Sequence, residues 1–302
     1  MFPLYLQKCF LQYYRRWASG SNPMNRKDEV RALLRLSPEE VKQRAGEHLV
    51  VCSTLDALHR QMAEDIFAEI ASAAAEARSL NLILPVGPTG QYPYLARLLN
   101  ENKHDLSHCK FFFMDEYCDD NGRAVSPTHP LSFRRIAYEL FLGSLEYTNL
   151  AETQVIFPTE HNIDTLSDQI ENAGGIDTCY GGIGIHGHIA FNEPEPGVNL
   201  LSCRKVQLND FTVTMNAVRA HVGGDLVNFP RAAFTLGMKE ILQSKRIRLY
   251  CRNGSPFDWA NAVLRIALFG TSGDDYPVTY IRNKDYTIIT DEDTLQTPEV
   301  LL

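Results

Sequence analysis

Short apolar segments alternate with helical segments along most of this sequence, and that alternation constrains the fold more than any other feature. Residues 110–114 are the clearest strand, because they are almost wholly apolar, as parallel strands covered on both faces are. Residues 55–70 carry apolar side chains at helical spacing and predict a long helix after the candidate caps Ser53 and Thr54. This alternation predicts an α/β fold with a mainly parallel, Rossmann-like sheet and helices on both faces.

The other predicted elements follow the same rhythm. Further strands are expected at residues 48–52, 81–86, 154–157, 176–180, 206–208, 232–236 and 247–251. Further helices are expected to begin after Ser37 and to cover residues 92–100, 133–142, 164–172 and 259–269. The last apolar segments are residues 278–281 and 287–290. Residues 24–302 are therefore expected to form a single α/β domain, which a chain of 302 residues accommodates.

The beginning of the sequence differs in composition from the rest. Residues 1–23 are aromatic and basic and contain no acidic residue. We expect them to be an N-terminal tail or a non-native extension, with Met24 as a candidate start of translation. A short targeting or interaction segment is the alternative.

Composition and charge argue against several classes of protein. The hydrophobic content of 44% and the charged content of 22% are ordinary for a globular protein. A net charge of −8 without a basic run argues against a nucleic-acid partner. No apolar run approaches the roughly 20 residues of a membrane span. The seven scattered cysteines indicate free thiols in a reducing compartment, so we expect a cytoplasmic protein.

A glycine-rich segment, residues 181–194, carries the most informative side chains. Its sequence is GGIGIHGHIAFNEP, and it follows a predicted strand. His186, His188 and Glu193 are residue types that move protons near neutral pH. Three interpretations are open at this point: an ordinary glycine-rich loop, a metal site, and metal-free acid–base catalysis. The alternation of strands and helices argues against the metal site, because metal-binding barrels with this ligand spacing are all-β.

Two other predicted strands end in groups that suit a binding site. Residues 87–91 (GPTGQ) lie between a strand and a helix, an arrangement that offers backbone amides to a phosphate. Asp115 and Glu116 directly follow the apolar strand at 110–114. Carboxylates at the end of a buried strand cost stability unless they are solvated or used. A solvated strand end and a catalytic pair are both open interpretations.

Three motifs, in this order, resemble the glucosamine-6-phosphate deaminase (isomerase) family. They are residues 87–90 (GPTG), 113–117 (FMDEY) and 181–194, in which GHIAFNEP is the most specific run. Residues 129–133 and 229–237 also resemble that family, so the similarity covers roughly residues 48–291. The resemblance implies a modified Rossmann-like fold, no cofactor, a sugar-phosphate ligand and a homo-oligomer. It implies an enzyme that opens an amino-sugar phosphate ring, isomerises aldose to ketose and releases ammonia.

The resemblance also implies roles for individual residues. Asp115 matches the base that moves a proton between C2 and C1 of the sugar. His188 matches the acid–base group of ring opening, and Glu193 matches its carboxylate partner. Arg231 takes the place of a phosphate-binding lysine. The further candidates are Gly87, Thr89, Gly90, Gln91, Gly184, Gly187 and Arg204 for substrate and phosphate binding, and His186 and Glu116 for catalysis.

Three positions depart from the family pattern. His186 stands where the family has an aspartate of the ring-opening group. Tyr92 stands where the family has Thr or Ser, and its bulk predicts a reshaped pocket. No arginine appears near the expected phosphate-binding position until Arg219. The sequence therefore predicts an isomerase or deaminase of an amino-sugar phosphate, with glucosamine 6-phosphate as the first candidate. The alternatives are a non-catalytic sugar-phosphate sensor, and an isomerase or lactonase-like enzyme for a different sugar phosphate.

Overall fold

The computed structural model describes residues 25–253 and 259–302. The expectation for residues 1–23 lies outside the described residues. The strands are β1 (Leu49–Cys52), β2 (Leu80–Leu84), β3 (Cys109–Phe113), β4 (Asp115–Cys118), β5 (Val155–Ile156), β6 (Thr178–Gly182), β7 (Arg204–Gln207), β8 (Ala232–Thr235), β9 (Arg246–Tyr250) and β10 (Tyr286–Asp291). The α-helices are α1 (Arg26–Leu34), α2 (Pro38–Ala45), α3 (Leu55–Ala75), α4 (Tyr92–Glu101), α5 (Phe133–Leu140), α6 (Leu166–Asn172), α7 (Asp210–Arg219), α8 (Met238–Gln243) and α9 (Ala260–Phe269).

A parallel sheet forms the centre of the described structure. Its seven strands lie in the order β1-β10-β9-β6-β2-β3-β5, and each pair of neighbours is parallel. Every residue of β2 is buried, as are four of the five residues of β3. Hydrophobic clusters fill the space on the two faces of the sheet. The prediction of an α/β fold with a mainly parallel sheet is confirmed.

A smaller antiparallel sheet, which the sequence analysis does not predict, joins this core. Its order is β4-β8-β7, and β4 begins one residue after β3 ends. Apolar residues 110–114 and the polar pair that follows them suggest a single strand with a polar end. The chain instead leaves the parallel sheet at Met114 and pairs with β8, where Asp115 lies opposite Thr235.

The strand order reverses direction between β2 and β6. From β2 the chain proceeds to β3 and β5 on one side, whereas β6, β9 and β10 lie on the other. All these strands are parallel, so their carboxyl ends share one edge of the sheet. Ligands of open α/β sheets bind in the crevice at such a reversal.

Local signals place most of the helices correctly. Ser37 and Glu40 form the capping box of α2, and Thr54 accepts a hydrogen bond from the backbone of Ala57 to cap α3. Helices α1, α7 and α8 are additional to the predicted set. Of the last two apolar segments, 287–290 lies in β10, and 278–281 lies in a 3-10 helix, Pro277–Asn283. Among the described helices, none combines the length and hydropathy of a membrane span.

Candidate active site

The loops after β2 and β6 meet where the strand order reverses. A Cβ on Gly182, the last residue of β6, would lie 2.5 Å from the carbonyl oxygen of Gly87. A Cβ on Gly181 would lie 2.6 Å from Cε of Met114, the residue between β3 and β4. Glycine at these two positions therefore lets all three sequence motifs approach one another.

Asp115 lies at the exit of β3, and its side chain is buried. Only 7% of the residue surface is exposed, and within the described residues no group donates a hydrogen bond to its carboxylate. Burial, and then the negative charge of Glu116, raise the pKa of Asp115 well above its ordinary value. A buried carboxyl group without a hydrogen-bond partner costs folding free energy, and such groups concentrate at catalytic sites.

Glu116, the next residue, has a different environment. Its Oε1 accepts hydrogen bonds from the backbone N–H groups of Tyr117 and Phe133, each at 2.9 Å. Its Oε2 accepts from the N–H of Arg134 at 2.9 Å and from Oγ of Ser132 at 3.0 Å. These bonds fill the four acceptor positions of a carboxylate and satisfy free amides at the start of α5. Glu116 therefore fastens α5 to β4 and keeps no acceptor position for a substrate.

His186 and His188 lie side by side on the loop after β6. Their Nδ1 atoms are 3.0 Å apart, and Nε2 of His186 lies 2.8 Å from Nδ2 of Asn209, the N-cap residue of α7. Burial, then His186, then Arg219 lower the pKa of His188 well below its ordinary value. Its imidazole is therefore neutral at neutral pH.

Gly184 and Gly187 give this loop its shape. The His188 ring lies over Gly184, where a Cβ would overlap Nε2 and Cε1 of the ring. The N–H of Gly187 donates to the carbonyl of Gly184 at 2.9 Å, and the φ angle of Gly187 is +73°, in the left-handed region. Both glycines therefore hold the histidines in place through the backbone.

Glu193 is not hydrogen-bonded to His188, although the resemblance implies that the two are partners. Its Oε2 accepts the backbone N–H of Asn209 at 2.8 Å, and among the described residues its buried Oε1 has no partner. Burial raises the pKa of Glu193, and a hydrogen bond from the Thr212 side chain opposes that rise. Glu193 and His186 are instead linked through Asn209, which contacts both.

The loop after β2 presents its backbone rather than its side chains. Gly87, Thr89 and Gly90 are all at least partly exposed just before α4. Gln91 is buried and donates a hydrogen bond from Nε2 to the carbonyl of Pro88 at 2.8 Å, which holds the turn together. At the start of α4 the N–H of Tyr92 bonds to the carbonyl of Thr89 at 3.1 Å, and Pro93 has no N–H, so the amides that suit an anion are those of the loop that precedes the helix.

Tyr92 does not occupy the loop, contrary to the prediction of a reshaped pocket. Its side chain is fully buried, its hydroxyl donates to the carbonyl of Pro85, and its ring stacks on Phe141 with centroids 5.1 Å apart. The first residue of α4 points into the core, so the bulk of the ring is accommodated there.

Two basic candidates have partners of their own. Arg204 donates from Nη1 to Oδ1 of Asn192 at 2.8 Å and forms an ion pair with Glu195, which braces the loop of residues 181–194. Arg231 is about half exposed and pairs with Asp210 at 2.8 Å. Its charge is therefore already balanced by a carboxylate.

Two other arginines have no such partner and were not chosen as site residues from the sequence. Arg219, the last residue of α7, influences the pKa of His188, and Arg252 follows β9. Burial, and then the charge of Arg252, lower the pKa of Arg219, although the residue is exposed by its solvent-accessible surface. In the part of the chain that the structure describes, neither arginine forms an ion pair with a carboxylate. The guanidinium of Arg219 lies 5.1 Å from the centre of the Trp259 ring, and Arg252 donates to the carbonyl of Asn253 at 3.2 Å. Two neighbouring guanidinium groups without a carboxylate ion pair are typical of an anion site.

His59 is a third residue that the sequence analysis missed. Its ring covers Gly90, where a Cβ would overlap it, and its buried Nε2 has no partner among the described residues. Burial and then Arg252 lower its pKa, so His59 is a neutral ring between the β2 loop and Arg252. No motif around His59, the fifth residue of the amphipathic helix α3, draws attention to it.

The metal interpretation of the sequence finds no cluster to support it. Across residues 25–253 and 259–302, no three His, Cys, Asp or Glu side chains converge as metal ligands. His186, His188 and Glu193 are arranged around Asn209 instead.

Curated relatives support the resemblance to glucosamine-6-phosphate deaminases. No family model matches the chain. The glucosamine-6-phosphate deaminase of Thermoanaerobacter sp. (strain X514) is 29% identical over 213 residues, which are 68% of this chain and 78% of the relative. That of Caenorhabditis elegans is 29% identical over 208 residues, 67% of this chain and 74% of the relative. Glucosamine-6-phosphate deaminase 2 of Bacillus subtilis (strain 168) is 29% identical over 211 residues, 68% and 79% of the two chains. The resemblance to these deaminases is confirmed, at a low level of identity over about two thirds of the chain.

Solved structures show the same fold. A monomeric glucosamine-6-phosphate deaminase of the NagB superfamily has a TM-score of 0.70 at 24% identity, over 82% of this chain and 98% of its own. The 6-phosphogluconolactonase of Thermotoga maritima has a TM-score of 0.60 at 17% identity, over 80% and 98%. The glucosamine-6-phosphate deaminase family thus shares its architecture with lactonases.

Proposed function

We propose that this protein converts an amino-sugar phosphate, with glucosamine 6-phosphate as the first candidate, to a ketose phosphate and ammonia. The observation that carries the proposal is Asp115, a buried carboxyl group without a hydrogen-bond partner in the described structure, at the reversal of the strand order. Relatives that are named glucosamine-6-phosphate deaminases support the same type of reaction.

The reaction moves a proton from one carbon to the next. In the open-chain sugar, C1 is an aldehyde and C2 carries an ammonium group. Asp115 takes the C2 proton and returns it to C1, while the ammonium group gives one proton to O1. C2 becomes an iminium carbon, which water hydrolyses to a ketone and ammonium. A carboxylate at the end of a strand can reach both carbons.

The charge on the amino group fits the environment of Asp115. Burial favours the neutral form of this carboxyl group, whereas catalysis needs the carboxylate. An ammonium group at C2 would sit next to the carboxyl group whose proton transfer it assists. Its positive charge would lower the pKa of Asp115 and produce the active base when the substrate binds.

The phosphate group fits the unpaired arginines. We place it between the loop that precedes α4 and the guanidinium groups of Arg219 and Arg252, neither of which has an ion pair in the described part of the chain. Free amides and guanidinium groups are the usual partners of phosphate oxygens. Arg231 is a weaker candidate, because Asp210 already neutralises it.

The test is to incubate the purified protein with glucosamine 6-phosphate and to measure ammonia and fructose 6-phosphate together. Both should appear in equal amounts, and Asp115→Asn should stop both while substrate binding remains measurable by calorimetry. Asp120→Asn is the matched control, because Asp120 is an exposed aspartate of the same segment. Normal turnover by Asp115→Asn would overturn the assignment of the base.

Two other outcomes would indicate the alternatives. Thermal stabilisation by sugar phosphates without turnover of any of them would indicate a sensor. Turnover of a sugar phosphate that lacks an amino group would indicate an isomerase or lactonase-like enzyme for that substrate.

We also propose that residues 24–302 act as a single domain, in the cytoplasm and as a homo-oligomer. The fold neighbour described as a monomeric deaminase makes the oligomeric state worth measuring early. Light scattering on the eluting protein decides it, and a mass of one chain would refute the oligomer.

A further inference from the structure

The orientation of the Asn209 side chain is fixed by its role in α7. Asn209 is the N-cap residue, and its Oδ1 accepts the backbone N–H of Thr212 at 3.0 Å. An amide has one oxygen and one NH2 group, so the group that faces His186 is the NH2. Nδ2 lies 2.8 Å from Nε2 of His186 and donates a hydrogen bond to it.

This donor determines which nitrogens of the two histidines carry protons. Because Nε2 of His186 accepts a hydrogen bond, the proton of its neutral ring is on Nδ1. That Nδ1 lies 3.0 Å from Nδ1 of His188, so His186 donates to His188. The proton of the neutral His188 ring must then be on Nε2, the atom that lies over Gly184.

The reverse order of protons is disfavoured by these contacts. It would put a proton on Nε2 of His186, directly opposite the NH2 group of Asn209 at 2.8 Å, and the acceptor left for it would be the Thr212 hydroxyl at the longer distance of 3.3 Å. Adding a proton to the pair meets the same difficulty, because two Nδ1–H groups would face each other at 3.0 Å. Burial and the charge of Arg219 further oppose a positive charge on His188.

We propose that Asn209 is a positioning residue that holds His186 and His188 as one neutral unit, whose remaining ring N–H is the Nε2–H of His188, over Gly184. His188 then serves as a neutral hydrogen-bond donor to a substrate oxygen, and it does not carry protons for ring opening. This inference rests on the proposed function, and it narrows the substrate to the open-chain form of the sugar phosphate. The resemblance implies the opposite polarity, since an aspartate in place of His186 would accept the Nδ1 proton of His188 and leave Nε2 free as a base.

The tautomer is measurable without any turnover. Two-bond proton–nitrogen NMR spectra of protein labelled with 15N-histidine distinguish protonated from unprotonated ring nitrogens. In the unaltered protein at neutral pH, we expect Nε2 of His188 and Nδ1 of His186 to be protonated. Protonation of His188 at Nδ1 would overturn the inference, whatever reaction the protein catalyses.

Asn209→Asp should reverse the pair. A carboxylate still caps α7 and accepts from Thr212, but its other oxygen accepts a proton from Nε2 of His186, so His188 should become protonated at Nδ1. Asn25→Asp is the matched control, because Asn25 caps α1 in the same way and lies outside the site. His186→Asp should produce the same reversal by a different route, which keeps the test valid if one variant folds poorly.

Ring opening can be measured separately from deamination. In the Asp115→Asn background, NMR exchange between the two anomers of glucosamine 6-phosphate reports ring opening alone. The protein with Asn209 intact should not accelerate that exchange, and adding Asn209→Asp should accelerate it at least tenfold. Acceleration of anomer exchange with Asn209 intact would overturn the inference and leave the proposed deamination unaffected. Absence of turnover together with the expected tautomer would overturn the proposed deamination and leave the inference unaffected.

Discussion

Asp115 and Glu116 are adjacent carboxylates, and we expect their amide variants to change stability in opposite directions. Glu116 accepts four hydrogen bonds, two on each oxygen. In Glu116→Gln, one oxygen becomes an NH2 group that faces two donors, so two hydrogen bonds are lost. Each bond to a charged group contributes about 1.5–3 kcal/mol, and the neutral amide avoids part of the burial cost. We therefore expect a loss of about 3 kcal/mol in the free energy of unfolding, at the lower end of that range.

Asp115→Asn should instead leave stability equal or higher at neutral pH. Burial raises the pKa of Asp115, so the folded protein holds this proton more tightly than the unfolded chain does. The free energy of unfolding of the unaltered protein therefore falls as the pH rises from the ordinary pKa of aspartate, about 3.9, to the raised value. Asparagine has no proton to lose, so the advantage of the variant should appear above that interval and disappear below it.

Urea denaturation followed by fluorescence at several pH values gives both free energies. Asp120→Asn is the control, because Asp120 is exposed and its change should have little effect. The reasoning is refuted if Glu116→Gln unfolds at the same urea concentration as the unaltered protein. It is also refuted if, at neutral pH, Asp115→Asn loses as much free energy of unfolding as we expect for Glu116→Gln.

The remaining predictions concern turnover. Gly184→Ala should lower kcat about 100-fold, because the added Cβ overlaps the imidazole of His188. Gly224→Ala is the control and should leave kcat unchanged, because the space around Gly224 is open. Equal effects of the two variants would contradict the packing of His188 over Gly184. Arg252→Met should raise KM roughly 10–100-fold through the loss of a phosphate contact, and Arg231→Met should not; a reversed order in steady-state kinetics would return the phosphate to Arg231. In a pH profile, kcat/KM should fall on acidification through a pKa above about 3.9, since Asp115 acts as the carboxylate, and a limb at the ordinary value would contradict its burial.

The parallel sheet could be predicted because strands such as β3 are almost wholly apolar and alternate with segments of helical spacing. The small antiparallel sheet could not. Its strand β4 begins one residue after β3, and no turn signal separates them. The departure depends on pairing with β8, more than a hundred residues later, which no local pattern encodes.

The candidate site could be predicted in part for the same reason. Asp115, His188 and the loop at Gly87 follow different strands, and parallel strands bring such ends to one edge. The neighbours of these residues are set by tertiary contacts instead. Asn209 reaches His186 from the cap of a helix that the sequence analysis did not predict, and Arg252 follows β9 without any motif around it.

Burial shifts the pKa values of Asp115 and His188 in opposite directions, but for both groups it favours the neutral form. It raises the pKa of the Asp115 carboxyl group and lowers that of the His188 ring, so each favours its neutral form. Among the charges nearby, that of Glu116 raises the pKa of Asp115 further, and those of Arg219 and Arg252 suit a phosphate but are not among the causes that shift the pKa of Asp115. The missing positive charge beside Asp115 would have to come from the ligand. A sugar phosphate with an amino group at C2 supplies a positive charge that lowers the pKa of Asp115, and one without an amino group does not. We therefore expect the burial of this one carboxyl group to favour amino sugars over sugars without an amino group.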